Sequence, residues 1–103
     1  MEVRTTTKGR ALTVRLRGEL DHHAARDAIT VVERALDAGM PAALTLDFAD
    51  VTFMDSSGIA VAMRAMRRMA ALGGTSALVN VPPQAKRVFD AAGIVCTAKE
   101  ETT

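Results

Sequence analysis

Apolar and polar positions alternate with period two along residues 11–17, where Leu12, Val14 and Leu16 interleave with Thr13, Arg15 and Arg17. That pattern predicts a strand with one buried face. Residues 2–7 carry Val3 and the run Thr5-Thr6-Thr7. They predict a weaker strand, joined to the first across Lys8-Gly9-Arg10 as a hairpin. The period then changes. Ala25, Ile29, Val32 and Leu36 recur at helical spacing and predict a helix over 22–38, with Asp21 as N-cap, Gly39 as the stop and Pro41 beyond it. Alternation returns at Leu44, Leu46 and Phe48, so residues 42–48 predict a second firm strand and 49–54 a short connection. Ser56 or Ser57 opens a second helix that runs to about Leu72, ahead of Gly73-Gly74. Its predicted inward stripe is Ile59, Met63, Met66 and Ala70, with Arg64, Arg67 and Arg68 beside it. Residues 76–81 are short and apolar, a buried strand. After Pro82-Pro83 a third helix is predicted over 84–92, with Pro83 at its first position and Ala85, Val88, Phe89 and Ala92 inward. Residues 94–97 are expected to form a last strand, and 98–103 a polar, frayed tail.

The predicted order is β-β-α-β-α-β-α-β. Strands alternating with helices imply an α/β fold: a mixed, mostly parallel sheet of four or five strands packed with about three helices. The 103 residues suit a single domain, 1–103, with its core at about 11–97. The formal net charge is +1, from 13 Lys and Arg against 12 Asp and Glu. Phe48, Phe53 and Phe89 are the only aromatic residues. Near-neutrality and so few rings argue against a direct nucleic-acid surface. Cys96 is the sole cysteine, residues 1–10 are polar, and no apolar run approaches the roughly 20 residues needed to span a bilayer. A cytoplasmic domain with no membrane partner is expected. Charge-rich helix faces favour a monomer.

Candidate chemistry concentrates in Phe53-Met54-Asp55-Ser56-Ser57-Gly58-Ile59, where a strand and loop meet a helix start. Asp and Ser there serve as caps in many helices. They also offer a phosphorylatable serine at a helix N-terminus, where free N–H groups and the dipole tolerate phosphate. A phosphate would add up to two negative charges beside Asp55. Ser57, His22 or His23, and Asp21 or Asp55 supply the residue types of a hydrolytic triad. The nucleophile elbow, however, needs Gly two residues before the Ser, and Met54 and Asp55 stand there. Adjacent helical histidines point about 100° apart, so His22 and His23 do not chelate one metal, and no metal or cofactor is expected. The arginine stripe reads as a solvated face or as a partner for acidic groups. No glycine-rich phosphate loop occurs.

Three blocks together resemble the STAS domain: Leu16-Arg17-Gly18-Glu19-Leu20-Asp21, the Phe53–Ile59 stretch just quoted, and Pro83-Gln84-Ala85-Lys86-Arg87-Val88-Phe89-Asp90-Ala91-Ala92-Gly93. More narrowly they resemble the small bacterial anti-sigma-factor antagonists of the sporulation type, which act on the anti-sigma-F factor. The run Gly18-Glu19-Leu20-Asp21-His22-His23 is part of that likeness, which extends from about residue 12 to 93. The resemblance implies a partner switch. The unphosphorylated protein binds an anti-sigma factor that is a serine kinase and displaces sigma; the kinase phosphorylates the second serine of the Asp-Ser-Ser-Gly motif, here Ser57; a serine phosphatase reverses it. The same likeness implies Asp21, Asp55, Ser56 and Gly58 as phosphosite neighbours. It implies Gly18, Glu19, Leu20, Asp21, His22, His23 and Ile59 as the docking surface, with no catalytic group of its own. A STAS regulator of a stress-response or non-transcriptional switch, or a nucleotide-binding sensor, are the alternative readings. Family members commonly continue into a further helix, whereas residues 94–103 alone follow Gly93 here, so either that element is lost or the chain is cut short of it.

Overall fold

The alternation at residues 11–17 becomes an inner strand of a four-stranded sheet in the computed structural model, which describes residues 1–97. The elements are β1 (Glu2–Lys8), β2 (Ala11–Leu20), α1 (His22–Gly39), β3 (Ala43–Met54), α2 (Ser57–Ala71), β4 (Thr75–Val79) and α3 (Pro83–Ala91). The sheet order is β1-β2-β3-β4, with β1 antiparallel to β2 and the other pairs parallel. Lys8 pairs with Ala11 across a tight hairpin turn in which Gly9 takes φ +60°. The α/β class and the mostly parallel sheet follow the expectation from sequence.

One face of the sheet is apolar and one is polar, as the period of two dictates. Leu12 lies beside Leu44, and Val14 beside Leu46, and all four are buried in one cluster with Ala25, Ala28, Val32 and Leu36 of α1 and Val61, Ala62, Ala65 and Met69 of α2. The opposite face carries Arg4, Arg15 and Arg17, all exposed. The helices α1 and α2 are also tied side by side by ion pairs. Arg64 reaches Glu33 at 3.1 Å, Arg68 reaches Glu33 at 3.3 Å, and Arg68 also bonds Asp37. Two arginines of the predicted stripe are thus partnered within the chain. Phe89 of α3 meets Phe48 of β3 edge-on at 5.4 Å.

Several expectations change. Residues 49–54 are not a connection but the second half of β3, because β2 runs on to Leu20 and keeps pairing with it: Arg17 with Asp50, Gly18 with Val51, Glu19 with Phe53, Leu20 with Met54. Two register shifts break the period-two signal there, since each bulge changes the face on which the following residues lie. Residues 94–97 are not a strand; they run as irregular chain held by single bonds, from Ile94 N–H to the Phe89 carbonyl and from Thr97 N–H to the Leu78 carbonyl. The predicted tail at 98–103 lies outside the described residues. The α1 stop shifts by one: Gly39 ends the helix and Met40 takes the left-handed conformation at φ +42°. The inward face of α2 is Gly58, Val61, Ala62, Ala65 and Met69. Met63 and Ala70 of the predicted stripe are exposed, while Ile59 and Met66 are half-buried. The helix is apolar on most sides, so periodicity leaves its rotation open. Small residues face the sheet and let α2 approach closely, leaving the longer Met63 outside. Among the described residues no helix is long and apolar enough to cross a membrane.

Candidate functional site

The parallel pairing of β2 and β3 brings two of the three motif blocks together. Both strands end level, at Leu20 and Met54, and α1 and α2 begin immediately after them. The Asp55 N–H donates to the Leu20 carbonyl at 3.3 Å, which ties the two loops across the sheet end. Ser57 is the first residue of α2 and half-buried; Ser56 before it is exposed. The cap is supplied by Asp55, whose Oδ1 accepts the Ser57 N–H at 2.8 Å. Neither serine side chain is used in that capping bond, and the Ser56 side chain makes none.

Gly58 and Leu20 support the site from beneath. Both are buried. A Cβ at Gly58 would overlap Met54 Cγ and Sδ and crowd Leu20 Cδ2 at 3.1 Å, so the first turn of α2 sits this low only with glycine there. Leu20, expected at the docking surface, instead points its fully buried side chain into the core. Gly18 lies in β2 opposite the bulged part of β3 and takes φ +107°, a region that favours glycine.

On the neighbouring loop, Asp21 caps α1 by accepting the Ala24 N–H at 2.9 Å. That bond holds its carboxyl below the ordinary aspartate value; burial opposes it, and the nearby His23 adds a smaller downward pull. His22, His23 and Glu19 are exposed around it. Among the described residues no hydrogen bond joins Ser57 to either histidine, and no three His, Cys, Asp or Glu side chains gather as a metal site.

The third block closes the site on the other side. Ser56, Ile59, Gln84, Arg87, Val88, Ala91 and Ala92 line a groove of about 520 Å³ between α2 and α3. Gln84 makes two bonds to the backbone of Met54: its Oε1 accepts the Met54 N–H at 2.9 Å and its Nε2 donates to the Met54 carbonyl at 2.8 Å. Sequence reasoning assigned Gln84 no role, since a glutamine after a proline pair carries no distinguishing signal. Asp47 was missed as well. It is buried, accepts from Ala49 N–H and Asn80 Nδ2, and faces Arg15 Nε at 3.5 Å. Asn80 sits there at φ +56°, and Asp47 holds the loop that leads into α3. A separate depression of about 530 Å³ is lined by Asn80, Val81, Pro82, Lys86, Cys96 and Thr97. Burial pushes the Cys96 thiol up, which weakens it as a nucleophile.

The STAS domain model matches residues 2–100. The chain belongs to the STAS domain family. Among relatives of this STAS chain, the anti-sigma F factor antagonist of Lysinibacillus sphaericus is 32% identical over 83 residues, covering 81% of this chain and 71% of that protein. The solved structure of the anti-sigma factor antagonist SpoIIAA in its unphosphorylated form superposes with a TM-score of 0.85 at 29% identity, covering 97% of this chain and 90% of that one. The phosphorylated form of the Bacillus cell fate determinant SpoIIAA gives a TM-score of 0.77, also at 29% identity, over 97% and 93% of the two chains.

Proposed function

We propose that this STAS chain is an anti-sigma-factor antagonist switched by phosphorylation of Ser57. In the unphosphorylated form it binds an anti-sigma factor that is a serine kinase, and sigma is released. The kinase then transfers phosphate to Ser57 and the antagonist lets go; a serine phosphatase restores it. The protein performs no catalysis itself and works as a cytoplasmic monomer. The docking surface is the pair of loops at the sheet end, with Gly18, Glu19, Asp21, His22, His23 and Ile59 offered to the partner, and Leu20 supporting them from the core.

The observation that supports this reading most directly is the capping arrangement. Asp55 takes the Ser57 N–H, so the Ser57 hydroxyl is not needed to start α2. A serine that caps its own helix would destabilise the fold when esterified, whereas this one accepts a phosphate at a positive helix end. The names of the relatives point the same way. Asp55 and Asp21 lie on the two adjoining loops, so a phosphodianion on Ser57 adds to an acidic surface and shifts the whole chain from +1 to about −1. A charge placed in a dry interface changes affinity by about 2–5 kcal/mol, roughly 30- to 4000-fold, enough to exchange partners.

The test is incubation with the anti-sigma-factor kinase of the source cell and ATP, followed by peptide mass spectrometry. Phosphate on Ser57 is expected; phosphate on Ser56 alone, or on neither serine, would overturn the assignment. Ser57→Ala is expected to bind the kinase undiminished and resist phosphorylation. Ser57→Asp is expected to bind at least about 30-fold more weakly.

A further inference from the structure

We infer that Gln84 is the positioning residue of the Ser57 site, a side chain on α3 that takes the place of an absent strand and holds the phosphoacceptor loop still. The strand β4 pairs with β3 over Ala43 to Asp47 and then stops. The remainder of β3, through Met54, has β2 along one edge and no strand along the other. Backbone N–H and C=O groups alternate between the two edges of a strand. At this end Asp55 N–H turns toward β2 and the Leu20 carbonyl, so the groups of Met54 turn toward the open edge. Met54 is fully buried, where an unpaired donor and acceptor would each be costly. The Gln84 amide meets both, donor to acceptor and acceptor to donor, at 2.8 and 2.9 Å. It meets both Met54 groups as a residue of a neighbouring antiparallel strand would, one acceptor and one donor side by side.

The consequence reaches Ser57 through a short line of bonds. Gln84 holds Met54. The next residue, Asp55, is fixed by Leu20 on one side and itself fixes the Ser57 N–H. The Ser57 loop is therefore held from both flanks, by β2 and by α3. Helix α3 has its own anchors, with Ala85 and Phe89 buried and the Phe89 ring against Phe48, so removing the Gln84 amide leaves the helix in place and frees only the loop. The functional half of this inference rests on Ser57 being the phosphoacceptor; the clamp itself rests on the geometry.

Two variants test it. Gln84→Leu keeps the size and removes both bonds. Gln84→Glu keeps the acceptor for Met54 N–H and sets a carboxylate against the Met54 carbonyl. In the isolated protein, hydrogen exchange at the Met54 amide is expected to speed up by about tenfold or more in Gln84→Leu while cooperative unfolding persists. In Gln84→Glu the NMR amide signals of Asp55 and Ser57 are expected to move away from their wild-type positions at neutral pH. They are expected to return as the introduced carboxyl takes up a proton and regains its donor. A merely space-filling residue would show no such return. Exchange within twofold of wild type in Gln84→Leu, or Asp55 and Ser57 signals that ignore the state of the introduced carboxyl, would overturn the clamp. With the kinase and ATP, Gln84→Leu is expected to lower kcat for Ser57 phosphorylation with KM nearly unchanged. A rise in KM alone would make Gln84 a docking contact and overturn the positioning role. If wild-type Ser57 takes no phosphate, the proposed function fails while the exchange and NMR results still decide the clamp.

Discussion

Single residues at the sheet end divide between those that offer chemistry and those that make the offer possible. Gly58 belongs to the second kind. Its missing Cβ is the space that Met54 and Leu20 occupy, and those side chains are fully buried. Gly58→Ala is expected to cost about 1–3 kcal/mol, the usual range for overpacking a core, read as a lower denaturation midpoint at unchanged slope. Asp21 sets a pH dependence. Its folded carboxyl lies below the ordinary value of 3.8 because the Ala24 N–H favours the charged form. A depressed folded pKa contributes stability that is complete above the unfolded value and disappears as pH falls through the folded one. Asp21→Ala is therefore expected to melt lower than wild type at neutral pH, and the gap is expected to narrow as pH drops below about 3.8. Asp21 and Asp55 are legible from sequence because side-chain caps have a chemical signature, and Ser56 and Ser57 by their place at a helix start. Gln84 and Asp47 are not, because Gln84 meets the Met54 backbone 30 positions away and Asp47 meets the Asn80 side chain 33 positions away.

Whole elements show where periodicity is decisive and where it runs out. The helix α1 has one apolar stripe flanked by charge, and three of its four expected inward residues, Ala25, Val32 and Leu36, are buried, with Ile29 half-buried. The helix α2 is apolar on most of its circumference, so its rotation is settled by its neighbours. Glu33 and Asp37 of α1 draw Arg64 and Arg68 to one side, and the small face Gly58, Ala62 and Ala65 turns to the sheet. Exposed pairs of this kind contribute little individually. Glu33→Gln is expected to lower stability by about 0.5–1 kcal/mol, since it loosens two arginines at once, and the difference is expected to shrink in 1 M salt. The strand β3 runs on past its alternating residues: bulges interrupt the pattern in its second half, and its partner β2 continues beside it to Leu20.

At the scale of the molecule, the three motif blocks lie far apart in sequence and share one end of the sheet. The parallel strands β2 and β3 carry the first two blocks to the same edge, and α3 brings the third against them. The anchoring of α3 is thus a property of the whole fold, and Phe89 is its main fastening. Phe89→Ala is expected to cost about 3–5 kcal/mol by denaturant unfolding, a large part of a small domain's total stability. Sequence by itself determined the α/β class, the three helices, the four strands that form (alongside a fifth at 94–97 that does not) and the helix start that carries Ser57, because each of these is written in local period and capping chemistry. Tertiary structure alone decided the rotation of α2, the length of β3, the irregular path at 94–97 and the clamp of Gln84 on Met54. These depend on which backbone edges remain unpaired and which surfaces meet once the chain is folded, and neither is encoded in any one segment.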